Sequence, residues 1–223
     1  MNTAWYFLKA GGITMIPLGI CSILALALII EKAYALRTRK VIAPEIVGLV
    51  ENMRGAEDMV ASIAVCDRAN TPFARVIKAG LTNRKLPRAE NVEMIQAAAR
   101  HEVGSLERGL LMLEIITGIS PLLGLLGTVL GIFHIFNVII VSGVGEASKL
   151  SAGISEALIT TIAGLFIAIP ALVAHSYYSK RAEDLLLEIE RYANMLIHKL
   201  YAGKAAESTE PVTAEREDNL RYS

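Results

Sequence analysis

A single carboxylate, that of Glu156, lies in the apolar stretch LSAGISEALITTIAGLFIAIPALVAHS at residues 150–176. An ionised acid at the centre of a membrane helix costs on the order of 2.5–3.5 kcal/mol. The apolar segments contain no basic residue that could neutralise it permanently. A carboxyl group that changes between neutral and charged forms can carry a proton, so Glu156 is a candidate proton-handling residue. The alternative is a structural role near the lipid headgroups, because Glu156 comes only six residues after Leu150.

Small and hydroxyl-bearing residues share the helix face of this acid. At 100° per residue, one face of this segment collects Gly153, Glu156, Thr160, Ala163, Ile167, Ala171 and Ala174. A preceding apolar segment collects Glu114, Thr117, Pro121, Gly124, Thr128, Gly131 and Ile135 in the same way. Small residues let helix backbones approach closely in lipid. We predict close packing at Gly124, Gly127, Gly131, Gly153 and Gly164, and expect those around Thr128 at a surface between subunits or facing a pore.

Three long apolar segments, at residues 10–30, 115–145 and 150–179, organise the chain. Each is long enough to cross a bilayer, which takes roughly 20 apolar residues in a helix. A cleaved signal peptide is the alternative for the first segment, but the run is too long and Glu31-Lys32 follow it in place of a cleavage site. We predict an all-α membrane protein with three transmembrane helices, the second and third extended into a cytoplasmic helical bundle.

Basic residues predict the orientation of these helices. Eight of them flank one side, namely Lys32, Arg37, Arg39, Lys40, Arg100, Arg108, Lys180 and Arg181, against Lys9 and Lys149 on the other. The predicted order is an external segment at 1–9, a first span at 10–36, a cytoplasmic helical region at 37–107, a second span at 108–142, an external turn at 143–149, a third span at 150–179, a cytoplasmic amphipathic helix at 180–202 and a disordered tail at 203–223. The N-terminus is then external and the C-terminus cytoplasmic.

Other kinds of site are excluded or weakly indicated. Cys21 and Cys66 fall in different compartments under this topology and show no metal spacing, so we expect neither a disulfide nor a metal site. The segment GLLGTVLG has no lysine after it, which excludes a phosphate-binding loop. His134 and His175 stand alone along the chain. We expect no enzymatic activity, no cofactor and no nucleic-acid partner.

Two segments resemble a known family. SPLLGLLGTVLGIFHIF at 120–136 and GISEALITTIAGLFIAIPALVAHS at 153–176 resemble the signature segments of the MotA/TolQ/ExbB proton-channel family, and the three spans are closest to the ExbB/TolQ type. The resemblance implies a homopentamer in the bacterial inner membrane, with the second and third spans around a central pore. It also implies two copies of a single-span ExbD/TolR-like partner in that pore, each with a protonatable Asp, and a TonB/TolA-like protein that is energised.

The resemblance implies roles for individual residues. The family's acid in the third span matches Glu156, its two threonines match Thr128 and Thr161, and its two prolines match Pro121 and Pro170. Thr161 lies about 140° from Glu156 on an ideal helix, whereas Thr160 shares its face. Either Thr161 faces the second span or the next subunit, or the helix is bent, and both threonines remain candidates for contact with pore water.

Further expectations and alternatives accompany this interpretation. Glu114 is expected at the cytoplasmic mouth of the pore, solvated or paired with a neighbour. A structural membrane scaffold, in which the polar face only packs helices, is one alternative to a proton-driven motor. A motor driven by Na⁺ is another, because carboxylates and hydroxyls serve either ion.

The predicted orientation can be tested with reporter fusions. A topology reporter fused after Arg37 or Lys180 is expected to read cytoplasmic, and one inserted near Gly145 is expected to read external, because basic residues stay on the cytoplasmic side. The reverse reading at any of these positions would contradict the three-span arrangement.

Overall fold

All regular secondary structure in the described part of the chain is α-helical. The structure, a computed structural model, describes residues 12–53, 59–142 and 147–207. Its helices are α1 Met15–Ala35, α2 Thr38–Val41, α3 Pro44–Asn52, α4 Met59–Ala69, α5 Pro72–Thr82, α6 Arg88–Ser142 and α7 Ala147–Glu207. Three of them, α1, α6 and α7, are long and apolar enough to cross a membrane. The predicted all-α class with three long apolar helices is therefore confirmed.

The second and third apolar segments each belong to one very long helix. The predicted continuation of the helix that contains EMIQAAARHEV into the second apolar segment is confirmed, because α6 runs unbroken for 55 residues. The continuation of the third segment into KRAEDLLLEIE is confirmed as well, because α7 runs for 61 residues. Both helices remain helical through a proline, Pro121 in α6 and Pro170 in α7.

Several predicted segment boundaries differ from the helix ends in the structure or lie outside the described residues. The external segment at 1–9, most of the turn at 143–149 and most of the tail at 203–223 lie outside the described residues. Residues 147–149 are already helical at the start of α7, and residues 203–207 still belong to it. The sequence AGKAAE that ends α7 is rich in alanine, lysine and glutamate, which favour a helix over the predicted disorder.

The described chain divides into two compact units. We call residues 12–36, 106–142 and 147–182 the apolar unit. Its core is formed by Ala25 of α1, Leu113 and Ile116 of α6 and Ala171 of α7. Many other large side chains on these helices are exposed, for example Ile23, Leu122 and Phe166. An apolar surface of this extent is unfavourable in water and favourable in lipid.

A buried lysine joins α1 to α6 within the apolar unit. The Nζ atom of Lys32 donates a hydrogen bond to the backbone oxygen of Leu106 at 2.9 Å. The Lys32 side chain is only 4% exposed, and the nearest carboxylate is that of Glu31 at 3.9 Å. Gly109 makes room for it, because a Cβ atom at that position would lie 2.5 Å from Cε of Lys32.

The second unit, which we call the amphipathic unit, contains residues 37–53, 59–105 and 183–207. Pro44 and Pro72 occupy the first turns of α3 and α5, where a missing N–H costs nothing. The buried core includes Ile46, Val50, Phe73, Ile77, Leu81, Leu185, Ile189 and Leu196. The sequence predicts an amphipathic stripe on α7 formed by Leu186, Ile189, Ala193, Leu196 and Leu200. Ile189, Ala193 and Leu196 are buried, whereas Leu186 and Leu200 are half-buried and Leu185 is buried in addition.

An ion pair ties α5 to α6 inside the amphipathic unit. Arg75 donates from Nε to Glu102 at 2.7 Å, and its second contact joins Nη2 to the other carboxylate oxygen. Arg75 also donates to the backbone oxygen of Asn70 at 3.0 Å, where the chain takes the left-handed φ of 44° between α4 and α5. These hydrogen bonds hold the pKa of the Glu102 carboxyl below its ordinary value.

Breaking this ion pair should destabilise the protein. Arg75→Met leaves the Glu102 carboxylate, whose side chain is 7% exposed, without its partner. We expect a loss of about 2–3 kcal/mol in the free energy of unfolding, the low end for a buried pair because Arg75 is 43% exposed. The measurement is thermal unfolding of the detergent-solubilised protein by circular dichroism.

The exposed pair Lys78–Asp67 provides a matched control. Lys78→Met should change stability by less than about 0.5 kcal/mol, and equal effects of the two variants would contradict the prediction. A pH series adds a second check. A carboxyl whose pKa is lowered by folding contributes stability above its unfolded pKa of about 4.3, and that contribution is lost as the pH falls through the folded pKa. The difference between wild type and Arg75→Met should therefore shrink in acid.

Candidate functional site

The backbones of α6 and α7 touch at two glycines. A Cβ atom at Gly124 would lie 2.9 Å from the backbone oxygen of Thr160, and one at Gly164 would lie 2.6 Å from the backbone oxygen of Ser120. Real Cβ atoms essentially never come this close, so any side chain at either position would force the helices apart. These two glycines therefore allow a close contact between two helices of the same chain.

Three further glycines continue this contact along both helices. Cβ atoms at Gly127, Gly131 and Gly153 would lie 2.5 Å from Oγ1 of Thr160, 3.0 Å from Cβ of Ala157 and 2.5 Å from Cγ1 of Ile135, respectively. From the sequence, the glycines around Thr128 are expected between subunits or facing a pore, whereas in the structure they pack within one chain. The reason is their spacing of three or four residues, which directs one α6 stripe at α7.

The close approach brings two hydroxyl groups into contact. The hydroxyls of Thr128 and Thr161 form a hydrogen bond across the helix pair. Backbone oxygens accept from each, that of Ala157 lying 3.2 Å from Thr128 and that of Gly124 lying 3.2 Å from Thr161. Because each hydroxyl has one proton to donate, this pair has two alternative proton arrangements. Of the orientations left open for Thr161, the structure has the one that faces the second span.

Thr160 is fully buried and points elsewhere. Its hydroxyl donates to the backbone oxygen of Ala157 at 2.8 Å within α7. The Cβ position of Gly127, close to Thr160, is also 2.7 Å from the hydroxyl of Thr14 at the start of α1. Thr160 is thus enclosed by all three long helices of the apolar unit.

The Glu156 side chain is half-buried and lies one helical turn from Thr160. Its carboxylate lies against the backbone of Gly12, where a Cβ atom would collide with Oε1 and lie 3.1 Å from Cδ. No ion pair joins Glu156 to another described residue. Within the described part of the chain, the Glu156 carboxylate therefore has no fixed countercharge.

Glu114 lies far from this cluster. It precedes Thr128 by fourteen residues of the same helix, or roughly 21 Å along the axis. The Glu114 side chain is 63% exposed, and its Oε2 atom lies 4.0 Å from Nε2 of His175 on α7. The same imidazole nitrogen is 3.4 Å from the hydroxyl of Ser179. The structure thus separates the acids of the two apolar helices.

Three residues of this region were not found from the sequence. Gly12 and Thr14 contact the site from the residues just before α1, and no local pattern could reveal a contact between distant segments. Ser120 is fully buried, and its hydroxyl has no hydrogen-bond partner among the described residues. It lies one turn before Gly124, so an extension of the glycine stripe along α6 could have indicated it. Among the described residues, no cluster of side chains is suited to hold a metal ion.

Comparisons with known proteins relate the chain to one family. A model of the MotA/TolQ/ExbB proton channel family matches residues 68–191. The biopolymer transport protein ExbB-like 1 of Synechocystis sp. is 37% identical over 172 residues, which are 75% of this chain and 66%, just under two thirds, of that protein. ExbB-like 3 of the same organism is 34% identical over 74% of this chain and 79% of its own. The Tol-Pal system protein TolQ of Haemophilus influenzae is 36% identical over 48% of this chain and 49% of its own.

The contact between α6 and α7 can be tested with two alanine substitutions. Gly164→Ala places a methyl group against the Ser120 backbone oxygen, and we expect a loss of about 1–3 kcal/mol in stability from overpacking. Gly118→Ala gains the same helix propensity but meets nothing within 4 Å, so it should be neutral or slightly stabilising. Thermal unfolding in detergent compares them, and equal midpoints would contradict the close contact.

Proposed function

The chain belongs to the MotA/TolQ/ExbB proton channel family, and from this we propose that it is the channel and stator subunit of an ExbB–ExbD or TolQ–TolR type motor. Family members are transport and channel subunits, and we propose that this chain is likewise a transport component and not an enzyme. In this proposal it uses the proton motive force to energise transport or an envelope process through a TonB/TolA-like partner. The observation that carries the proposal is the half-buried carboxylate of Glu156, which lies in an apolar segment one helical turn from the buried Thr160.

The distances between the acids argue for a partner that completes the proton route. Glu156 precedes His175, the neighbour of Glu114, by nineteen residues of α7, or roughly 28 Å along the axis. Direct proton transfer needs hydrogen-bond distances. An ExbD/TolR-like single-span protein with a membrane Asp, in two copies, would supply the missing carboxylate between them. Each proton that crosses releases about 2.3 kcal/mol per 100 mV of potential.

The exposed apolar surface supports assembly around such a partner. Outside the contact with α7, the α6 helix exposes Leu122, Leu125, Val129 and Phe133. The α7 helix exposes Leu158, Ile162, Phe166 and Ile169 in the same way. Membrane lipid and neighbouring copies of the chain can both cover such a surface. We propose a homopentamer in which five copies of Glu156 surround a wet pore.

The apolar helices and the family indicate a multi-pass protein of the inner membrane. We propose that the N-terminus is external, that residues 37–107 and 180–223 are cytoplasmic, and that residues 10–36, 108–142 and 150–179 are the spans. In this orientation Glu114 and His175 lie towards the cytoplasmic mouth, and Glu156 lies towards the outside. Pro121 and Pro170 then lie inside continuous spans, where we propose that they allow a local bend.

One observation favours a purely structural role for the threonines. The hydroxyls of Thr128 and Thr161 bond to each other and to backbone oxygens of the same chain, as packing alone would require. A structural scaffold would use them only for stability, whereas a motor needs them for ion transfer. Replacement of Na⁺ by K⁺ in the assay separates a Na⁺-driven motor from one driven by protons.

Substitutions at the acid and the hydroxyls test the proposed function. Glu156→Ala and Glu156→Gln should both abolish activity that depends on the proton motive force, because Gln keeps the size of Glu but cannot ionise. Glu156→Asp should keep part of the activity, because the carboxylate survives. Thr128→Val and Thr161→Val should be impaired, because each loses a hydroxyl and keeps its shape. The measurement is energised activity in cells together with copurification of the complex.

Controls separate ion transfer from folding. Glu107→Gln removes an exposed acid of the same helix as Glu114 and should remain fully active. The Glu156 variants should still assemble with the partner, since loss of a half-buried acid relieves a desolvation cost. Full activity of Glu156→Gln at normal expression would refute the role of the acid. A loss of activity in the threonine variants that only follows a loss of thermal stability would favour the scaffold.

A further inference from the structure

The residues just before the first apolar helix pack directly against the carboxylate of Glu156. Gly12 precedes α1 and has a φ of 63°, a left-handed conformation that favours glycine. A Cβ atom here would collide with Oε1 of Glu156 and would lie 3.1 Å from its Cδ and 3.8 Å from its Cγ. The carboxyl group therefore fills the volume that the side chain of any other residue would need.

Thr14, two residues after Gly12, packs against both α6 and α7. Thr14 is the N-cap residue of α1, yet its side chain makes no capping hydrogen bond to that helix. The Thr14 side chain is buried, and its hydroxyl lies 2.7 Å from the Cβ position of Gly127 on α6. The hydroxyl of Thr160 on α7 lies 2.5 Å from the same point. The absence of a side chain at Gly127 thus creates the notch that receives the start of α1.

These contacts give α1 a role beyond that of a membrane anchor. We propose that Gly12 and Thr14 are positioning residues for Glu156, so that the start of the first span determines where the acid is held. Thr14 fixes the segment in the notch, and Gly12 leaves the space that the carboxyl group occupies. The consequence for ion transfer rests on the function proposed above, whereas the position of the acid can be measured by itself.

The position of the acid is measured by infrared spectroscopy of the purified full-length protein. The carboxyl stretching band of Glu156 is the band that Glu156→Gln removes. We expect Gly12→Ala to shift this band, because the new methyl group displaces the carboxyl group. Gly19→Ala, within α1 but with nothing within 4 Å of its Cβ position, should leave the band unchanged. An unchanged band in Gly12→Ala would overturn the proposal, whatever the protein does in cells.

Activity provides a second readout with a specific rescue. Gly12→Ala should lower energised activity by about tenfold or more, because a small misplacement of a reacting group costs this much. Aspartate is one methylene shorter than glutamate, so the double variant Gly12→Ala/Glu156→Asp should be more active than Gly12→Ala alone. Backbone strain at residue 12 by itself predicts no such rescue. A double variant no more active than Gly12→Ala, in a protein that Glu156→Gln inactivates, would overturn the proposal.

Thr14 gives a test that does not strain the backbone. Thr14→Ser keeps the hydroxyl and should keep the infrared band and the activity. Thr14→Val keeps the shape, loses the hydroxyl and should shift the band and lower the activity. Equal bands in these two variants would overturn the assignment of Thr14. If Glu156→Gln stays fully active, the proposed function fails, and the infrared comparison still decides the positioning.

Discussion

Close approach of the α6 and α7 backbones is the constraint on which the candidate site depends. Lipid gives two apolar helices no hydrophobic reason to associate, so contact, shape and hydrogen bonds must hold them together. Gly124 and Gly164 allow backbone atoms of the two helices to meet. Only at this separation can the short side chains of Thr128 and Thr161 bridge the helices. A larger residue at either glycine would therefore remove the hydroxyl pair without altering either threonine.

The long helices α6 and α7 are held by different kinds of contact in the two units. In the apolar unit, glycine contacts and one buried lysine hold α1, α6 and α7 together, and large apolar side chains point outward. In the amphipathic unit, large side chains such as Phe73 point inward, and the Arg75–Glu102 pair fixes α5 on α6. The pattern of large apolar side chains along α6 and α7 therefore changes where each helix passes from one unit to the other. A single amphipathic period over either whole helix would therefore describe neither half.

The sequence predicts what is local and misses what depends on distant segments. Helix class, the three apolar helices and the continuity of α6 and α7 follow from the length and period of apolar runs, and all are confirmed. The 100° projection correctly groups Glu156 with Thr160 on one face of α7, but it cannot tell what covers that face. The covering segment contains Gly12 and Thr14, about 140 residues earlier in the chain, and nothing in its local pattern indicates the contact.

The energetics of the site indicate why an acid in this position calls for a function. Three contacts of Thr128 and Thr161 cross between α6 and α7. The two hydroxyl protons can form only two of these hydrogen bonds at a time, which at about 0.6 kcal/mol each contribute about 1 kcal/mol to the association of the helices. None of them involves the carboxylate of Glu156, which lies against Gly12 and has no ion pair with a described residue. The hydroxyls thus stabilise the helix pair whether or not the acid is present. Because the carboxyl group adds a desolvation cost and forms no ion pair with a described residue, helix packing does not account for it, and this supports the proton-handling role proposed above.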